Sequence, residues 1–173
     1  FGDLLWSGQK PSALHYDWPW SMLLHYLRTG RRIFFDTGME MIRHRYDIDQ
    51  YHGERTDSRG EHKWINHMAF YETDKHADPT IEAYQPARIS MHSHTWNGGL
   101  VLYYLLTGDK RAWDAAAANG KAALNHYGRD GLGDARRQNC TDAELRQETW
   151  PILNLINLYR VSGEPELLRV ARD

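Results

Sequence analysis

A chain of 173 residues with 41% hydrophobic and 25% charged side chains has ordinary globular composition, which excludes wholesale disorder and fits one domain of roughly 100–200 residues. With 23 acidic against 21 basic residues the net charge is −2, so no electrostatic footprint points to nucleic acid or an anionic membrane as partner. No apolar run approaches the ~20 residues of a membrane span, and the single Cys140 excludes an intrachain disulfide or a cysteine-based zinc site.

Ten histidines, ten tyrosines and seven tryptophans exceed what a small core requires. Rings with one apolar and one wet edge suit sugar-binding clefts as well as helix packing. The chain starts at Phe1 without an initiator Met and stops at Asp173 inside a helical pattern. It therefore reads as a piece of a longer polypeptide, and its compartment is left open.

In chain order, the first element is a helix from Trp18 (Trp-Pro-Trp-Ser-Met-Leu-Leu-His-Tyr-Leu-Arg-Thr) to a stop at Gly30. A second helix follows from about Arg32 to His44. The pattern recurs from Trp96 to Gly108, followed by an alanine-rich helix from about Lys110 to His126. It recurs again from Trp150 to Gly163, followed by a helix beginning at Glu164-Pro165. Each copy has a tryptophan, an apolar stretch, a tyrosine four residues before the glycine, and Thr-Gly or Ser-Gly at the end. The tryptophan-to-glycine gaps are 12, 12 and 13 residues. Pro19 and Pro151 fit a first helical turn, and the glycines fit left-handed helix stops.

The first helix of each pair is apolar nearly all round and predicts burial on most sides. The second carries Arg43, Arg45, Lys110, Arg111 and Lys121 and predicts exposure. The fold class expected is all-α, with repeated helical hairpins forming part of an α/α toroid. Residues 1–173 would be a fragment of that domain, since six or so hairpins need roughly twice this length. A long irregular insert at about 51–94 interrupts the rhythm, with Gly53, Gly60, Pro79 and Pro86 and no sustained helical period.

In such an array the residues just before the inner helices gather at one end. These are His15, Tyr16 and Asp17 in the first copy, His92, Ser93, His94 and Thr95 in the second, and Arg146, Gln147, Glu148 and Thr149 in the third. Asp17 and Glu148 serve equally well as helix caps or first-turn acids. His92 and His94, two residues apart, are a weak metal pair without a third ligand. His25 reads as a core or helix-interface residue, and His44 and His126 as surface residues near helix C-termini. No P-loop, Rossmann, G-x-S-x-G or H-E-x-x-H pattern is present.

The strings His15-Tyr-Asp-Trp-Pro-Trp20, Ile42 to His52, and His92-Ser-His-Thr-Trp-Asn-Gly-Gly-Leu100 resemble the α/α-toroid domain of exo-rhamnogalacturonan-lyase-like proteins. That resemblance implies β-elimination at a uronic acid in a pectin- or rhamnogalacturonan-like polysaccharide. A proton leaves C5 beside the carboxylate and the C4 glycosidic oxygen is expelled. The chemistry calls for carboxylate neutralisation, a base and an acid. Arg55 and Arg88 suit the carboxylate, His92 or His94 the base, and Tyr16 or Tyr51 the acid. Trp18, Trp20 and Trp96 would wall the sugar, with His52 beside them. No cofactor is called for; calcium could supply the cation, but no residue pattern indicates it. The partner expected is a poly- or oligosaccharide substrate. Two other readings stand beside this one. A toroid glycoside hydrolase would use Asp17 and Glu148 as its carboxylate pair, and a non-catalytic helical repeat would bind a partner on its concave face.

Overall fold

The computed structural model describes residues 5–6, 10–11, 16–50, 54–56, 63–65, 95–127 and 145–172. Among the described residues six helices dominate: α1 (Trp18–Thr29), α2 (Arg32–His44), α3 (Gly98–Thr107), α4 (Lys110–Tyr127), α5 (Leu145–Ser162) and α6 (Pro165–Arg172). The other regular elements described are a π-helical turn, Arg45–Asp49, that continues α2, and four strands of two or three residues. Leu5–Trp6 pairs antiparallel with Lys10–Pro11, and Glu54–Thr56 with Lys63–Ile65, in two separate ladders. The fold class is all-α. Among the described residues no helix is long and apolar enough to cross a membrane.

The hairpins are three copies of one device. Gly30, Gly108 and Gly163 take φ values of 67°, 75° and 69°, the left-handed conformation that costs an L side chain about 1–2 kcal/mol. Their N–H groups donate to the carbonyls of Tyr26, Tyr104 and Tyr159 at 2.7, 2.7 and 2.8 Å, closing each helix. The hydroxyl before each glycine explains why Thr or Ser stands there. Thr29 and Thr107 Oγ1 donate back to the carbonyls of His25 and Tyr103, both at 2.7 Å. The same oxygens accept from the N–H groups of Arg31 and Asp109 at 3.3 and 3.1 Å. Ser162 Oγ likewise accepts from Glu164 N at 3.1 Å. One side chain thus satisfies groups on both sides of the turn.

α1, α3 and α5 lie side by side as an inner row, and α2, α4 and α6 pack over them as an outer row. The core between the rows contains Leu23, Ile42, Leu100, Ala112, Ala116, Leu155, Leu167 and Val170. Small residues let the rows close. A Cβ on Gly120 would stand 2.0 Å from Leu158 Cδ1, so any side chain there would force that buried leucine to shift. Tyr104 packs on Trp113 and Tyr26 on Phe35 at 5.3 and 5.1 Å, the same inner-to-outer contact in two successive hairpins.

Four expectations need correction. The inner helices are not buried nearly all round: Leu27 is 53% and Leu105 59% exposed, and these residues occupy equivalent positions counted back from the glycine stops. Leu153 of α5 is also exposed, so each inner helix presents an apolar side chain at the surface. Pro151 lies inside α5 and not in its first turn, because the helix already begins at Leu145, in a stretch that includes the good helix formers Leu, Arg, Gln and Glu. Arg45 is 1% exposed, whereas Arg43, Lys110, Arg111 and Lys121 are exposed as predicted. His25 is a surface residue, though it does lie at the helix interface, stacked on Phe34 of α2 at 5.2 Å.

Replacing Gly30, Gly108 or Gly163 by Ala should lower stability by about 1–2 kcal/mol in each case, read from urea unfolding midpoints. A loss at one glycine and none at the others would contradict the equivalence of the three stops.

Candidate active site at the inner-helix entrances

The N-terminal ends of α1 and α3 are joined by one carboxylate. Asp17 occupies the N-cap position of α1 but makes no side-chain bond to that helix. The reason is local: Pro19 in the first turn has no N–H, which leaves α1 with less need of a cap. The side chain instead crosses to the neighbouring helix, where Oδ2 accepts the Gly99 N–H at 2.9 Å in the first turn of α3. Its Oδ1 accepts from Arg45 Nη1 at 3.0 Å, while Arg45 Nη2 donates to the Tyr16 carbonyl, also at 3.0 Å. The pair is well buried, with side-chain exposures of 1% for Arg45 and 12% for Asp17.

A second polar cluster joins α3 to α5. Asn97 N donates to Asn154 Oδ1 at 3.1 Å, and Asn97 Nδ2 to the Asn154 carbonyl at 2.9 Å. Asn154 Nδ2 donates to the Thr95 carbonyl at 2.6 Å, and Asn157 Nδ2 to Asn97 Oδ1 at 3.4 Å. Asn97 and Asn154 are almost wholly buried, so each bond left unmade would cost about 1–3 kcal/mol in desolvation. The entrance of α3 is therefore cross-linked to the entrance of α1 by a carboxylate and to the middle of α5 by amides.

Aromatic rings surround this junction. Tyr16, Trp18 and Trp20 are 45%, 37% and 45% exposed. Trp96 is buried beneath, between Tyr16 at 6.3 Å and Trp150 at 4.9 Å. At the centre lies Gly98. A Cβ there would meet Asp17 Oδ2 at 2.8 Å, Asn157 Nδ2 at 3.4 Å and Trp20 Cδ1 at 3.5 Å. A carboxylate, an amide and an indole edge thus pack on Gly98 so closely that a side chain there would have to displace the Asp17 carboxylate.

Of the site residues expected from sequence, the structure brings together Tyr16, Asp17, Trp20 and Trp96, with Trp18 exposed at the first position of α1. Trp96 is a floor and not an exposed wall. Glu148 falls within α5, as its fourth residue and not in a loop before it, because the helix starts at Leu145. Its side chain, like that of Arg55 in the strand Glu54–Thr56, lies outside what is described. Tyr51, His52, Arg88, His92 and His94 lie outside the described residues, although His94 immediately precedes Thr95 in the chain. Among the described residues no group of three metal-ligating side chains occurs. The sequence reading missed Arg45, Asn97, Asn154 and Asn157. Two asparagines three apart in the otherwise apolar run Ile152 to Leu158 were the available signal, since they share a helix face.

Compared with known families, characterised proteins and solved structures, the chain shows no match.

The two glycines at the start of α3 should respond differently to alanine. A Cβ on Gly99 would stand 2.8 Å from both Pro19 Cβ and the Trp20 backbone nitrogen, so α1 itself must move. At Gly98 the Cβ would meet only side-chain atoms. Gly99→Ala is expected to cost about 1–3 kcal/mol and Gly98→Ala less, by urea unfolding. Equal losses would contradict the close approach of α1 to α3.

Proposed function

We propose that the three hairpins belong to an α/α toroid and form part of a carbohydrate-active enzyme that cleaves uronic-acid-containing polysaccharide by β-elimination. The observation that carries this reading is the junction at Gly98. There the exposed rings of Tyr16 and Trp20 stand beside Asp17 and Trp96 at the entrances of α1 and α3. The chain enters α3 at this end directly from the segment that contains His92 and His94. In this reading one of those histidines takes the C5 proton and a tyrosine, Tyr16 or Tyr51, protonates the departing C4 oxygen. Arg55 and Arg88 neutralise the uronate carboxylate, which stabilises the enolate that develops on it.

The hydrolase alternative needs a free carboxylate pair, and the surroundings of Asp17 count against it. Both of its oxygens are engaged, one by a buried guanidinium and one by a backbone N–H. A residue so held serves better as a structural pin than as a proton carrier. The toroid reading also accounts for the exposed apolar stripe on the inner row: a ring would close over Leu27, Leu105 and Leu153 with its remaining inner helices.

The test is near-ultraviolet absorbance during incubation with a panel of uronic-acid polysaccharides, because elimination leaves a C4–C5 double bond conjugated to the carboxylate. The expected result is a rise on at least one substrate, reduced by about 10²–10⁴-fold in His92→Ala or His94→Ala, whichever is the base. New reducing ends without absorbance would overturn elimination in favour of hydrolysis.

A further inference from the structure

The outer helix α2 does not end at His44 but runs on through the π turn Arg45–Asp49. Such turns are rare and recur at functional sites. Here the turn sends successive side chains to different neighbours. Tyr46 donates its hydroxyl to Asp109 Oδ2 at 3.3 Å, and the Arg111 guanidinium lies over its ring at 4.5 Å. Asp47 pairs with that same Arg111, and Gln50 Nε2 donates to the Ala115 carbonyl at 3.0 Å. Burial, and then the Asp109 carboxylate, push the Tyr46 phenol above its ordinary pKa, so it remains a donor through neutral pH. The side chains of Tyr46, Asp47 and Gln50 therefore fix the turn to α4 and to the Asp109 before it, while Arg45 reaches from it to Tyr16 and Asp17.

We propose that Arg45 is the positioning residue of the site at Gly98: one guanidinium sets the peptide that carries Tyr16 and, through Asp17, the first turn of α3 beside Trp96. Its planar fork holds two acceptors at once, the Tyr16 carbonyl and Asp17 Oδ1, each at 3.0 Å. A lysine ammonium is a point charge on a shorter reach and cannot reproduce both bonds in that geometry. The catalytic consequence rests on the elimination reading; the structural one does not.

Arg45→Met and Arg45→Lys test it in the intact protein with three readouts: amide exchange at Gly99, the circular dichroism signal of the Trp96–Trp150 pair, and kcat against KM for elimination. In Arg45→Met the Gly99 amide is expected to exchange at least about tenfold faster while Tyr103, in the middle of α3, is unchanged. The tryptophan signal falls, and kcat drops by about tenfold or more with a smaller change in KM. Arg45→Lys gives intermediate values in all three, and carries the comparison if the methionine variant does not fold. Unchanged Gly99 exchange in the variants overturns the proposal. So does faster exchange with wild-type kcat, which would make Arg45 a residue of the fold alone. If the wild-type protein yields no unsaturated product, the elimination reading fails and the catalytic part of the proposal with it, and the Gly99 and tryptophan readouts then test only the hold of Arg45 on the α1 and α3 entrances.

Discussion

The Asp17 carboxylate is the constraint on which the rest of this end of the molecule depends. It stands at the mouth of α1, takes the first-turn N–H of α3 and pairs with a guanidinium supplied by the end of α2. Three elements far apart in sequence are thereby tied through one side chain. A carboxylate and a guanidinium that are this well buried are not kept for their attraction alone, since desolvation offsets most of it. Removing either partner, however, leaves a buried charge uncompensated, which typically costs about 3–5 kcal/mol. The pair gives a fixed corner, and the aromatic rings and Gly98 are arranged around it.

The two ends of the hairpin array are built on opposite rules. At the glycine end the three copies are nearly identical: the same left-handed stop, the same tyrosine carbonyl as acceptor, and a hydroxyl that bridges the turn. At the other end they diverge. The α1 entrance carries Asp17, the α3 entrance carries Asn97 and a glycine pair, and α5 contributes Asn154 and Asn157 from within its helix. Repetition at one end suffices to make the helices turn and stack. The unlike polar groups are concentrated at the entrances of α1 and α3, against the middle of α5.

Much of the scaffold was legible in the sequence because it rests on local rules. Glycine after a Thr or Ser, a tyrosine four residues earlier and a proline at the start of α1 each act within a single turn, and α1 to α4 and α6 fall within a residue or so of where those signals put them. The start of α5 was misread because Pro151 looked like a first-turn proline, whereas the residues before it already favour helix. Arg45 was misread for a different reason. Its position in the α2 pattern belongs to the charged outer row, and only the π turn and the distant Asp17 explain its burial. In the same way, Asp17 carries the sequence marks of an N-cap for α1, yet caps α3. What sequence periodicity does not contain is the partner supplied by another element.

Because the account turns on Arg45 and Asp17 acting as one unit, the most direct measurement is a double-mutant cycle on stability with Arg45→Met, Asp17→Ala and the combined variant. The account predicts a coupling of at least ~1 kcal/mol, with the double variant less destabilised than the sum of the single ones. Additivity within ~0.5 kcal/mol would contradict it, and with it the claim that one ion pair fixes the entrances of α1 and α3.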